Sequence, residues 1–157
     1  FYSRDIIPDI ILTKKNGQGE NEYMVFDAKY KRMRANKEAK NYDVDRTDLF
    51  QIHTYIHYVE HHLGHVVVGG LLYPLTKKAQ TEDGSEIEIC IDENKFHSEH
   101  LYGWEERNKA NDTKFIIDGV YCPENANAET NNYDTIKNDM DENVKAMIER
   151  IKNAALL

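Results

Sequence analysis

The sequence predicts an α/β or α+β fold, with a central mixed β-sheet flanked by helices. Three observations predict it. Short apolar runs rich in β-branched and aromatic residues alternate with polar, glycine-bearing segments, as strands and turns do. Two longer segments carry apolar residues at helical spacing instead. The order is hairpin, helix, three strands and helix, which suits a sheet covered by helices. At 157 residues, the chain is within the range of one domain with its own core.

The first strand is expected over Ile6-Ile7-Pro8-Asp9-Ile10-Ile11-Leu12. Pro8 has no N–H, so this strand should be an edge or irregular at that point. The second runs from Tyr23 to Tyr30, with charge only at Asp27 and Lys29. Asn16-Gly17 and Gly19 supply the turn chemistry between them. A helix is expected from Asp48 to about Leu63, with Asp48 or Thr47 as N-cap. Leu49, Ile52, Ile56, Val59 and Leu63 form its apolar stripe. His65 to Tyr73 reads as a buried strand ended by Pro74, with Gly69-Gly70 marking a close approach or a bulge. Glu86 to Ile91 and Thr113 to Val120 read as further strands. The polar stretch Asp92 to Asp112 includes Trp104, read as a core or interface anchor. Residues 123–132 (PENANAETNN) have linker composition. A last helix over about 134–155 lays Ile136, Met140, Val144, Met147, Ile148 and Ile151 on one face.

Composition narrows the function. No run is apolar enough over the roughly 20 residues a bilayer-spanning helix needs. The only cysteines are Cys90 and Cys122. They have neither CxxC nor Cys/His ligand spacing, which argues against a zinc or iron–sulfur site and suits a reducing cytoplasm. No glycine-rich phosphate loop is present, so nucleotide hydrolysis is not expected. The net charge of -8 at first argues against a nucleic-acid partner. The charge is uneven, however: residues 1–60 hold ten Lys/Arg and ten Asp/Glu, and the rest holds ten and eighteen. Lys29, Lys31, Arg32, Arg34, Lys37 and Lys40 form a basic run interrupted only by the acidic Glu38. Such a run can follow phosphates. A solvated loop over Met33 to Asn41, which lacks apolar periodicity, is the competing reading.

The chemistry-bearing residues gather on the hairpin. Successive strand side chains alternate in face, so Asp27 and Lys29 point the same way. Ala28 between them packs into the sheet and can turn its backbone carbonyl to the site. Antiparallel pairing would bring Asp9 to Asp27, with the Lys29 ammonium beside both. Two carboxylates suit a hard cation such as Mg²⁺, which takes oxygen ligands and retains waters. Such a site activates water against a phosphodiester. The same residues could instead be strand-end charges, with Lys29 paired to one carboxylate. On the following helix, Gln51 and Tyr55 share the flank beside the apolar stripe, with Tyr58 and His62. His53, His57 and His61 form another row, which could bind Zn²⁺ or simply be a solvated helix face.

In this order, RDIIPDIIL, VFDAKYKR, DLFQIHTYIHY and GGLLYP resemble the PD-(D/E)XK nuclease superfamily. They are most similar to the nuclease domain of McrC-type and LlaJI-type restriction subunits. The segments span Arg4 to Pro74, about half the chain. The resemblance implies a restriction-endonuclease-like core forming one nuclease domain over 1–157, with its motifs in 1–74. It implies Asp9 and Asp27 as Mg²⁺ ligands (Mn²⁺ substituting), the Ala28 carbonyl in the metal shell, Lys29 as catalytic lysine and Gln51 as active-site support. Tyr55 completes the Q-x-x-x-Y spacing. Lys31, Arg32, Arg34 and Tyr55 are expected to meet DNA. A further acidic residue on an upstream helix would precede Phe1, and the non-Met start suggests a piece of a longer protein. That parent protein would work with a GTP-driven AAA+ motor. Another nuclease of the superfamily, or a non-catalytic DNA-binding or assembly module on the same fold, are the alternatives.

Overall fold

A computed structural model describes residues 6–31, 34–36, 41–75, 78–80, 84–88, 97–98, 113–122 and 133–156. It is an α+β structure consistent with a restriction-endonuclease-like core. The elements are β1 (Ile10–Lys15), β2 (Asn21–Ala28), β3 (Arg34–Asn36), β4 (Asn41–Asp43), α1 (Arg46–His62), β5 (Val66–Leu75), β6 (Lys78–Gln80), β7 (Glu86–Glu88), β8 (His97–Ser98), β9 (Lys114–Tyr121) and α2 (Tyr133–Leu156). The main sheet has five strands in the order β1-β2-β5-β9-β8. The pairs β2–β5 and β5–β9 are parallel, while β1–β2 and β8–β9 are antiparallel.

The β1–β2 hairpin closes as its turn residues predict. Asn16 Oδ1 accepts from the backbone N–H of Gln18 and of Glu20, each at 2.9 Å. Gly19 takes a positive φ of 84°, where a side chain would be strained. β1 is the sheet edge and starts at Ile10, not Ile6. Pro8 cannot donate to the ladder, so Ile6 to Asp9 precede the strand.

Each face of the sheet packs one helix. Val25, Leu71, Tyr73, Leu75 and Phe115 meet Ile52, Ile56 and Val59 of α1, all buried. On the opposite face Phe26, Val68, Leu72 and Ile116 meet Ile151 of α2, with Met147 packed alongside. Each fully buried side chain of this size contributes roughly 1.5–3 kcal/mol; α1 is seated by three of them, whereas α2 contributes the buried Ile151 with Met147 partly buried beside it. Gly69 has no side chain where α1 crosses it. A Cβ there would meet Cγ1 of Ile56 at 2.7 Å. At Gly70 a Cβ would meet the Ile116 carbonyl oxygen at 2.5 Å. The paired glycines thus mark two close approaches, one on each face. On the α2 face Arg150 forks onto the buried Asp118, with Nε and Nη2 each 2.8 Å from a carboxylate oxygen.

Several boundaries differ from the sequence expectation. The N-cap of α1 is Asp45, whose Oδ1 accepts from the Thr47 backbone N–H at 2.9 Å and hydroxyl at 2.7 Å. Leu63 is the C-cap and is 51% exposed, because the helix has ended before its side chain could reach the core. Ile148 is also exposed, lying on the rim of the α2 stripe. Pro74 lies inside β5 opposite Val120 rather than ending the strand. Within the segment expected to be a loop, β3 pairs with β4 in a short hairpin. Backbone pairing does not require the apolar alternation that was missing. Trp104 and residues 123–132 lie outside the described residues.

Candidate active site

The hairpin register brings the first two carboxylates together. Ile10 pairs with Phe26, so Asp9 and Asp27 stand opposite each other one step further along. Directly opposed residues of an antiparallel pair share a face. The Ala28 backbone N–H donates to Asp9 Oδ2 at 2.8 Å, which fixes the Asp9 carboxylate across the strand end. The Lys29 backbone N–H donates to the Leu72 carbonyl at 2.7 Å. This continues the parallel ladder past Ala28 and keeps Lys29 on the Asp27 face, the face covered by α1.

Lys29 joins the two elements. Its ammonium forms an ion pair with Asp27 Oδ2 and donates to Gln51 Oε1 at 2.6 Å. The Gln51 amide donates in turn to the Tyr55 hydroxyl at 2.7 Å. Gln51 and Tyr55 are four residues apart and therefore neighbours on the helix surface. Because α1 begins at Arg46, Gln51 lies in its second turn. The structure thus brings together Asp9, Asp27, Lys29, Gln51 and Tyr55.

Asp27 is buried, at 3% exposure. Its Oδ2 accepts no hydrogen bond of good geometry despite the ion-pair contact with Lys29. Burial is the main cause that pushes its carboxyl above the ordinary range; Lys29 opposes the shift and the charge of Asp9 adds to it. A buried carboxylate facing a second carboxylate is costly in a fold, and the Lys29 ion pair offsets part of that cost.

One residue of this site was read from sequence only as a cap. Asp48 is 5% exposed. Its Oδ2 accepts from the Tyr73 hydroxyl at 2.7 Å and lies 2.9 Å from Lys31 Nζ. Its Oδ1 lies 3.4 Å from Lys29 Nζ. Burial works against its charged form. Hydrogen bonds from Lys31 and Tyr73, with the charges of both lysines, outweigh burial and hold its carboxyl below the ordinary range. Burial and the Asp48 carboxylate keep the Tyr73 hydroxyl protonated, far above the usual phenol range. The D-x-x-Q spacing of Asp48 and Gln51, which puts both on one helix face, is the sequence signal that could have found it.

Of the residues expected to meet DNA, Lys31 lies against acidic neighbours, with Nζ also 3.2 Å from Asp45 Oδ2. The hydrogen bond to Asp48 is the leading cause that raises its ammonium above the ordinary range. Arg32 lies outside the described residues, and Arg34 is described only through its backbone in β3. His53 is half-buried and His57 and His61 are exposed; burial lowers the His53 imidazole below its usual value. Among the described residues, no group of three or more His, Cys, Asp or Glu side chains is set to hold a metal by itself. None of the described helices is long and apolar enough to cross a membrane.

No curated protein and no solved structure gives a significant match to the chain. A family model does match, over residues 2–74. That span runs from before β1 to near the end of β5 and holds every residue of the constellation from Asp9 to Tyr73. Over that span, just under half of its length, the chain is similar to the family described as "McrBC 5-methylcytosine restriction system component", and the match supports a role as a component of a McrBC-like restriction system.

Proposed function

We propose that this chain is a Mg²⁺-dependent DNA endonuclease domain of the PD-(D/E)XK type, playing the part of the McrC subunit in a McrBC-like system. The observation that carries the reading is the opposition of Asp9 and Asp27 with the Lys29 ammonium against Asp27. A paired strand end has no structural need for two carboxylates face to face, one of them buried. The local balance also favours a cation. Asp9, Asp27 and Asp48 face Lys29 and Lys31, which leaves one surplus negative charge before Asp45 is counted. Two carboxylates suit Mg²⁺, which commonly takes one or two protein carboxylates and completes its shell with water and substrate phosphate. They do not make the closed four-ligand cage of structural zinc.

On this reading Asp9 and Asp27 hold the cation, and the Ala28 carbonyl joins them. When bound, the cation supplies hydroxide near neutral pH and neutralises phosphate charge. The Lys29 ammonium faces the oxygens on which charge grows during in-line displacement and helps orient the attacking water. Gln51 holds that ammonium through its amide oxygen, and Tyr55 fixes the amide orientation. Lys31, Arg32 and Arg34 contact the DNA backbone. The parent protein works with a GTP-driven AAA+ motor, which supplies DNA affinity that an acidic domain lacks.

The test is plasmid nicking with Mg²⁺ or Mn²⁺ by the wild-type chain, Asp27→Ala and Lys29→Ala, each checked for folding by circular dichroism. Cleavage should be abolished in both variants with the fold retained. Unchanged cleavage by either purified variant refutes the assignment.

A further inference from the structure

The proposed chemistry leaves Asp48 without a role, yet it is the most heavily bonded carboxylate of the site. Tyr73 of β5 and Lys31 both fix its Oδ2, at 2.7 Å and 2.9 Å, while Oδ1 faces Lys29 Nζ at 3.4 Å. An ammonium has three N–H donors. Asp27 Oδ2, Gln51 Oε1 and Asp48 Oδ1 surround that of Lys29 on three sides. On the proposed reading Asp27 also serves as a cation ligand, and Gln51 is neutral and holds the ammonium only through its amide oxygen. Asp48 is buried, anchored from a third element, and among the described residues its carboxylate meets Lys29, Lys31 and Tyr73. A helix-end carboxylate placed only for the helix dipole would lie at the surface, without a strand tyrosine reserved for it.

We infer that Asp48 is a positioning residue for Lys29: its carboxylate, locked by Tyr73 and Lys31, holds the ammonium in front of Asp27 at the reacting phosphate. This rests on the nuclease reading and deepens it. Tyr73 acts one step further out, setting the carboxylate plane.

The experiment uses the whole chain as wild type, Asp48→Asn and Tyr73→Phe. Nicking is analysed as kcat and KM, Mg²⁺ affinity is measured by calorimetry, and the Lys29 side-chain ammonium is followed by ¹⁵N–¹H spectroscopy. Lys29→Arg identifies its signal. A small displacement of a catalytic group costs up to about a hundredfold in rate. Asp48→Asn should therefore lower kcat by about tenfold or more while KM and Mg²⁺ affinity hold, and it should erase the slowly exchanging Lys29 signal. Tyr73→Phe should show the same pattern more weakly. An unchanged Lys29 signal in Asp48→Asn overturns the inference, as does an unchanged kcat per folded molecule. If the wild type neither binds Mg²⁺ nor cuts DNA, the nuclease reading fails on that result, and the Lys29 signal still decides the positioning role.

Discussion

Asp27→Asn should stabilise the metal-free protein while destroying its proposed activity. Asp27 is 3% exposed and its Oδ2 lacks a well-formed hydrogen bond. A buried, unsatisfied acceptor costs about 1–3 kcal/mol, more when charged. The repulsion of Asp9 adds to that cost, and the ion pair with Lys29 offsets part of it. Removing the charge leaves Lys29 with Gln51 and Asp48, so the ammonium is not abandoned. The net gain expected is about 1 kcal/mol, or about 2–4 °C in Tm for a domain of this size. The gain should depend on pH. Because burial raises the Asp27 carboxyl in the fold, its contribution to stability is present below its unfolded value and lost as pH rises through its folded value. The advantage of Asp27→Asn should therefore vanish in acid and widen toward neutrality. Mg²⁺ should reverse the order. At tenfold its Kd it stabilises wild type by about 1.4 kcal/mol through mass action, and it should leave the variant nearly unchanged. The assay is a thermal melt in EDTA and then in Mg²⁺ at several pH values. An Asp27→Asn protein that melts below wild type in EDTA at neutral pH would refute the reasoning, because the Lys29 attraction would then outweigh the burial cost.

Other perturbations separate scaffold from site. Arg150→Ala should cost about 3 kcal/mol, the low end of the range for breaking a buried ion pair, because Asp118 loses its fork. Urea unfolding reads the loss, and Asp118→Leu combined with Arg150→Met should restore most of it. The Asp48 carboxyl is held below its ordinary value, so its stabilisation is present above about 3.8 and lost as pH falls through the folded value. Urea midpoints followed into acid should decline for wild type and stay flatter for Asp48→Asn. Gly119→Ala would drive a Cβ into the Tyr73 carbonyl of the neighbouring strand. It should shift backbone and lower Tm sharply, whereas Gly17→Ala in the open turn, with nothing near its Cβ, should be close to neutral.

How much of this was legible in the sequence follows the range of the interactions. The hairpin is local: Asn16, Gly17 and Gly19 set the turn, and the opposition of Asp9 and Asp27 follows from register. The buried faces of α1 and α2 were legible from periodicity, but their ends were not. Leu63 and Ile148 fit the spacing and still face solvent, since spacing does not say where the neighbouring surface stops. The cap was ambiguous because Asp45, Thr47 and Asp48 all have capping side chains, and only backbone geometry chooses among them. Asp48 shares a helix face with Gln51 by its spacing, but its burial and its partners were not legible. Its burial depends on Tyr73, 25 residues away, and on the parallel pairing that brings β5 beside β2. Gln51 was expected from the resemblance, whose Q-x-x-x-Y spacing with Tyr55 lies within one helix.

The contact between Lys31 and Asp45, 3.2 Å apart, has a consequence for how such a domain can change. The chain leaves the site after Lys31 and re-enters it at Asp45, the cap of α1. The β3–β4 hairpin lies on the excursion between them. An ionic clasp at its base fixes both ends of that excursion relative to Asp27 and Gln51. Closing a longer loop across the same gap costs only about 0.6 kcal/mol for each doubling of its length. The excursion is therefore a natural insertion point. A segment of different length could be exchanged there while Asp9, Asp27, Lys29 and Gln51 keep their register.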